Sequence, residues 1–396
     1  MADTTKDIWN DNDGEEEEKK PRRKKLRGFL IFLLTLVAVL GVVMFAAYRD
    51  GTGFDVLRRY LNYGGAEKAG SEAVYNFDAS SSNRFAVLGD RLVVLSDTRL
   101  RVLNASGGEV WSTAVSMTAP ALESGGGKAV AYDVGGTALY VVDQNGEVFS
   151  LTATEEEPLI SASLNEEGWL AVTAKMKGYK GCVRVYDSDM EEVFRFRSSR
   201  RFLTDAWVAG KGEALAAVTL GQENGTFVSN VVLYRLTEEE PYGNYDITDG
   251  LVADIGWVDG KLAAVSDTSL TFAGIKGELE GSFGYKGAHL REYDLHGDGF
   301  AAVLLNRYQS GSVGRLVTVS ADGEELGSLD VRDEVLSMSA CGRYLAVLYY
   351  GSLVVYNENL EVYASLKGTE NARGALMRQD GSVLLLSSES AELFLP

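Results

Sequence analysis

Residues 98–113 read TRLRVLNASGGEVWST. Leu100 to Leu103 alternates, Asn104 to Gly108 is turn chemistry, and Glu109 to Ser112 alternates again around a large aromatic, Trp111. Two short alternating runs joined by an Asn/Gly-rich turn predict a β-hairpin. The same hairpin returns at residues 137–151 (TALYVVDQNGEVFSL), 182–194, 316–329 and 352–363.

Working outward, eight short apolar runs recur, each after a tight polar turn. They lie at residues 92–95, 129–132, 170–173, 214–218, 262–265, 300–303, 345–348 and 383–386. A period of about 40 residues with four strands per unit predicts a β-propeller. The fold class is therefore all-β, an eight-bladed β-propeller, with seven blades as the alternative if one unit is irregular. The small apolar runs are expected to be the innermost strands, crowded toward the channel. The last unit, residues 373–396, supplies only three strands. An orphan strand at residues 72–77 should complete it, because an open ring would leave an unpaired sheet edge.

The 396 residues are 45% hydrophobic, enough for a large core, and carry a net charge of −19. Residues 1–27 are polar and electrically balanced, and residues 28–48 hold no charge, so the negative charge belongs to the chain beyond residue 48. That argues against a nucleic-acid partner. The first 27 residues are expected to be a disordered cytoplasmic tail. Residues 28–48, GFLIFLLTLVAVLGVVMFAAY, are long enough for one transmembrane helix, and the basic cluster Arg22 to Arg27 before them predicts a cytoplasmic N-terminus. An uncleaved signal anchor is expected, with a cleaved signal peptide as its rival. Residues 49–71 form a juxtamembrane linker with a short helix expected at 54–63. Residues 72–396 form the propeller, which the signal anchor would place outside the membrane.

The hairpins LRVLNASGGEVWST and LYVVDQNGEVFSL resemble the repeat of quinoprotein-type (PQQ-like) propellers, related in form to WD40-like ones: a strand, an Asp/Asn-rich turn, Gly-Glu-Val, then Trp. Trp111 holds the tryptophan position, with Phe149, Phe194 and Tyr363 standing in elsewhere. The resemblance implies fold and not activity, because adjacent cysteines beside a cofactor are missing; Cys182 and Cys341 are isolated. No cofactor is expected. The layout is also similar to single-pass membrane proteins of Gram-positive bacteria with a propeller ectodomain. More distantly, it resembles the propeller lipoprotein of outer-membrane assembly, although no lipobox cysteine is present here.

Catalytic constellations were sought among the residue types that chemistry needs. His289 and His296, with Asp294 and Asp298, suggest a metal site on paper, but 295–299 occupies the repeat's turn position and reads as turn chemistry. The run 143–147 lacks the length and terminal glutamate of a calcium loop. No metal site and no catalytic residue are expected. Cys182 and Cys341 fall on opposite sides of the ring and should not bridge.

Propeller topology places the loops between second and third strands, and those between blades, on one face. That face receives the long segments 175–181 (KMKGYKG), 197–205 (RSSRRFLTD), 221–230, 284–291 (GYKGAHLR) and 306–314 (NRYQSGSVG). Lys177, Tyr179, Lys180, Arg200, Arg201, Tyr285, Lys286, Arg307 and Tyr308 make it the candidate binding face, because interfaces favour aromatic and arginine anchors. Short acidic turns go to the other face. The expectation is a non-catalytic binding or scaffolding module at the cell envelope, with an envelope protein or cell-wall polymer as partner. The alternative is an extracellular propeller enzyme of glycosidase or lyase type, which converging carboxylates in a deep central pocket would favour.

Overall fold

The computed structural model describes residues 22–49, Asp55, Arg59, 73–238, 240–247 and 250–396, with side chains at 28–42 of the first stretch and from Tyr75 onward in the propeller. The expectations for most of the tail, for the 54–63 helix apart from Asp55 and Arg59, and for the 64–70 linker lie outside the described residues. The chain divides into two units, residues 1–64 and 65–396. The first contains one α-helix, Arg22–Arg49. Among the described residues no helix is long and apolar enough to cross a membrane, so the spanning reading of residues 28–48 rests on the sequence alone.

The second unit is eight four-stranded antiparallel sheets. Blade 1 is Arg84–Leu88, Arg91–Leu95, Arg99–Leu103 and Glu109–Ala114. Blade 2 is Pro120–Gly125, Lys128–Asp133, Ala138–Asp143 and Gly146–Thr152. Blade 3 is Leu159–Leu164, Leu170–Ala174, Gly181–Tyr186 and Glu192–Ser198. Blade 4 is Phe202–Ala209, Ala214–Glu223, Thr226–Tyr234 and Gly243–Ile247. Blade 5 is Val252–Val258, Lys261–Ser266, Ser269–Ala273 and Leu279–Gly284. Blade 6 is His289–Asp294, Phe300–Asn306, Gly314–Ser320 and Glu325–Val331, and blade 7 is Val335–Cys341, Tyr344–Tyr349, Ser352–Asn357 and Val362–Lys367. Blade 8 takes Gly374–Met377, Val383–Leu386 and Ser390–Phe394 from the C-terminus and Ala73–Asn76 from the other end of the domain. Eight blades are formed and the seven-bladed alternative falls.

Closure follows the expected pairing. Tyr75 lies opposite Ala391 and Asn76 opposite Ser390. Tyr75 is fully buried, and its hydroxyl donates to the Asp90 carbonyl of blade 1 at 3.1 Å. Phe77 stacks on Phe85 with ring centroids 4.9 Å apart. The Arg378 guanidinium of blade 8 donates to the Gly89 carbonyl at 2.7 Å.

One expectation needs correction. The small apolar runs are not the innermost strands. They are second strands, and the first strands of adjacent blades pack against one another around the axis. A second strand lies mid-sheet with a neighbouring blade on each face, so nearly every residue of the apolar run is buried and the run reads as continuously apolar. Ala129 and Ala131 enter the seam with blade 1, while Val130 and Tyr132 enter the seam with blade 3. The buried apolar side chains form eight clusters, one in each seam, and no common centre.

Several first strands instead carry polar residues whose side chains staple one blade to the next. Glu292 and Asp294 of blade 6 accept from the backbone N–H groups of Met338 and Ala340 at 2.9 and 2.8 Å. Ser337 and Ser339 of blade 7 do the same for Ala375 and Met377 of blade 8. The Ser163 hydroxyl donates to the Ala206 carbonyl at 2.5 Å. Each bond satisfies a backbone or side-chain group that would otherwise lie unpaired near the axis.

The hairpin turns are self-capped. The Asn104 side-chain oxygen accepts from the backbone N–H groups of Ser106 and Gly108, and Asp143, Asp187 and Asn357 repeat the arrangement. The calcium-like run at 143–147 is therefore turn chemistry, as expected. Gly146, at φ +134°, presents its α-carbon to Trp111 of the preceding blade; a Cβ there would sit 2.6 Å from the indole. The Gly-Glu-Val and Trp of the repeat are thus two halves of one inter-blade contact. Where Trp is replaced, ring pairs fill comparable space: Phe149 meets Tyr186 at 5.0 Å and Phe194 meets Tyr234 at 6.0 Å.

Candidate functional site: a loop face and a central channel

Antiparallel order sends each second-to-third connection and each inter-blade connection to the same end of the ring. All nine candidate residues lie in these connections or at their strand ends. The acidic turns at Glu166, Glu167, Asp189, Glu191, Asp322, Glu324 and Glu358 lie at the opposite end.

The structure gathers part of the candidate set. Lys177, Tyr179 and Lys180 from blade 3 meet Phe202 and Leu203 of blade 4 around a cleft of about 480 Å³, completed by Glu156, Ile160, Lys175 and Met176. Tyr179 is 46% and Phe202 54% exposed. The Lys180 ammonium sits 4.5 Å from the centroid of the Phe202 ring, a cation–π contact. Lys177 pairs with Glu156 at 2.8 Å and Arg201 pairs with Glu223. Arg200 is exposed beside them.

The remaining candidates lie apart. Tyr285 is 3% exposed and belongs to the core between blades 5 and 6, so it is not surface. Burial pushes its phenol well up. Lys286 is exposed with a left-handed backbone, φ 54°. Arg307 stacks over Tyr308 at 5.7 Å. A smaller cleft of about 300 Å³, lined in part by Arg291, Asn306 and Glu334, opens between blades 6 and 7 on the same face. Sequence reasoning missed Phe202, Phe227 and Tyr350, three further exposed aromatics on this face. Phe202 lay inside the quoted segment 197–205, and its neighbour Arg201 was the signal that could have found it.

Sequence reasoning also left unnamed the carboxyls that the first strands bring together. Glu123, Asp205 and Asp254 stand on first strands of blades 2, 4 and 5 and feel one another's charge. Burial raises the Asp205 and Asp254 carboxyls above the ordinary range, and the Asp254 charge raises Asp205 further. Asp205 and Asp254 influence each other's protonation, and Tyr293 lies within reach of the Asp254 charge. Each Asp caps the next backbone N–H, of Ala206 and Ile255, at 2.8 Å. His296 stands with them, its Nδ1 2.9 Å from Asp294, and that carboxylate raises the imidazole to about 9. Its side chain is 67% accessible. The turn reading of 295–299 holds for the backbone, while the imidazolium adds a positive charge to an acidic axis. Among the described residues no group of His, Cys, Asp and Glu is placed to hold a metal ion. Cys182 and Cys341 are free.

Residues 63–379 match a family of unknown function, DUF5711. The chain belongs to DUF5711. No curated protein matches it. This DUF5711 propeller is similar in fold to the C-terminal WD40 domain of Sif2, at 14% identity and TM-score 0.59, covering 82% of this chain and 98% of that one. It is also similar to BamB from Moraxella catarrhalis, at 11% identity and TM-score 0.50, covering 82% and 99%. At these identities the likeness is one of architecture.

Proposed function

We propose that this DUF5711 chain is a non-catalytic binding or scaffolding module, tethered by residues 28–48 and working outside the membrane at the cell envelope. The observation that carries the reading is the cleft between blades 3 and 4, where Lys177, Tyr179, Lys180 and Phe202 converge on the loop face. Exposed aromatics beside cations are what interfaces use as anchors. The tether is argued from the uncharged 28–48 stretch and the basic cluster before it. An envelope protein or cell-wall polymer is the partner this face would take.

Crosslinking in intact cells, followed by identification of what is captured, tests the reading. Replacing Lys177, Tyr179, Arg200, Arg201, Lys286, Arg307 and Tyr308 together should remove the captured partner; an unchanged capture by a folded variant refutes the face. Protease added to intact cells should digest the propeller, and an untouched propeller refutes the topology.

A catalytic reading has one observation in its favour, the carboxyls converging on the channel. A glycosidase needs two carboxyls about 5 Å or more apart, flanking a sugar bond. Asp205 and Asp254 instead influence each other's protonation, and each accepts from the next backbone N–H, of Ala206 and Ile255, which suits a structural role. Hydrolysis of a glycan panel by the wild type that is lost in Asp205→Asn would reinstate the enzyme.

A further inference from the structure

We infer that the cleft between blades 3 and 4 takes an acidic peptide segment that inserts one large apolar side chain. The inference rests on the binding-face reading above and names its partner. The cleft has two kinds of wall. Ile160, Met176, Leu203 and the rings of Tyr179 and Phe202 supply apolar surface, in a volume of about 480 Å³. Lys175, Lys177 and Lys180 line it too, and Arg200 and Arg201 precede Phe202 in the connection between the two blades. Lys177 is answered within the chain by Glu156, and Arg201 by Glu223. Among the described residues Lys175 and Arg200 have no ion-pair partner, and Lys180 lies over the ring of Phe202. The surplus is positive in a protein whose net charge is −19, so the site is complementary to negative charge that the rest of the surface repels.

The apolar floor decides between anionic partners. A polyanion without apolar groups would satisfy the cations and leave the floor wet. A peptide satisfies both, with carboxylates on the lysine and arginine rim and an aromatic or long aliphatic side chain between Tyr179 and Phe202. Such a central anchor with a charged surround is the usual distribution of energy in a protein interface. The Lys177–Glu156 pair fits as a latch. Both partners are exposed, at 75% and 67%, so the pair holds little energy and an incoming carboxylate can displace Glu156 from Lys177.

The experiment is selection of a random twelve-residue peptide library on the full-length protein in detergent, with counter-selection on Phe202→Ala. The expected result is enrichment of peptides carrying one Phe, Trp, Leu or Met among several Asp or Glu. In fluorescence anisotropy, one such peptide should bind at least tenfold more weakly to Phe202→Ala and to Tyr179→Ala, both exposed positions that leave the fold intact. Mutating the peptide's apolar residue to Ala should cost as much. Peptides without that pattern, or peptides indifferent to both variants, overturn the proposal. So does tight binding of poly(glycerol phosphate) that survives Phe202→Ala. If the seven-residue replacement abolishes crosslinking while the peptide selection fails, the face stands and only the partner's chemistry is wrong. If both fail, the face itself is refuted.

Discussion

At position 360 the hairpin turn demands a left-handed backbone, and a leucine occupies it at φ 59°. Blade 3 does the same with Met190 at φ 66°. The equivalent turns of other blades use glycine, as at Gly107 and Gly323. Both side chains are buried in seams, Met190 between blades 2 and 3 and Leu360 between blades 6 and 7. Left-handed strain costs about 1–2 kcal/mol, whereas removing a buried Leu costs about 2–5 kcal/mol. Burial wins, and Leu360→Gly should destabilise the domain by about 1–3 kcal/mol in urea unfolding even though it relieves strain; unchanged or increased stability would show that the seam does not need the side chain. At Gly146 the balance runs the other way. Gly146→Ala drives a Cβ into Trp111 and should cost about 1–3 kcal/mol, with partial recovery when Trp111→Leu is added; strict additivity would mean that the two do not touch. The glycine and tryptophan were legible in the sequence as a repeat. Met190 and Leu360 were not, since an apolar residue in a turn gives no local sign that its side chain is buried.

Among the elements, Ala73–Asn76 carries the largest consequence for its length. It brings Tyr75 and Phe77 into the seam that joins the last blade to the first. Tyr75→Ala removes a fully buried aromatic and the hydrogen bond to Asp90, and should cost about 3–5 kcal/mol. A chain beginning at Ser80 should lose at least as much, read as a lower melting temperature than a chain beginning at Gly70. Equal melting temperatures would refute closure as a source of stability. The orphan strand was legible because the unit count left one blade a strand short. The order of strands within a blade was misread for a physical reason. A strand sandwiched between neighbouring sheets and a strand crowded at an axis both look small and apolar in one dimension. What distinguishes them is a first strand whose Ser, Asp or Glu residues reach across to the next blade, as in blades 3, 6 and 7, and sequence alone does not say where a polar side chain points.

For the whole molecule, the axis sets the response to pH. Asp205 and Asp254 hold protons in the fold that the unfolded chain releases near pH 4, because burial penalises their charged forms. Stability from these groups is therefore greatest in acid and is lost as pH rises toward their folded values. His296 acts with the same sign. Its pKa is raised to about 9 by Asp294, so its contribution is complete below about 6.5 and disappears as pH rises through 9. The urea midpoint should fall between pH 6.5 and 9, and His296→Asn should flatten that slope; a midpoint rising over this range would contradict the arrangement. The acidic total was visible in the composition. Its concentration at the axis was not, because Asp205 and Asp254 come from different blades and acquire a common environment only when the ring closes.

The closing strand enters at the acidic end of the ring and runs toward the loop face. Tension arriving through the chain before Ala73, with the loop face held by a partner, would act along that strand. Its hydrogen bonds to Ser390–Phe394 lie across the strand direction, so they would be loaded together in shear. Pulling Ala73 away from the neighbouring C-terminus would instead peel the bonds one at a time. The domain thus resists traction along its closing strand more than it resists peeling of that strand from its neighbour.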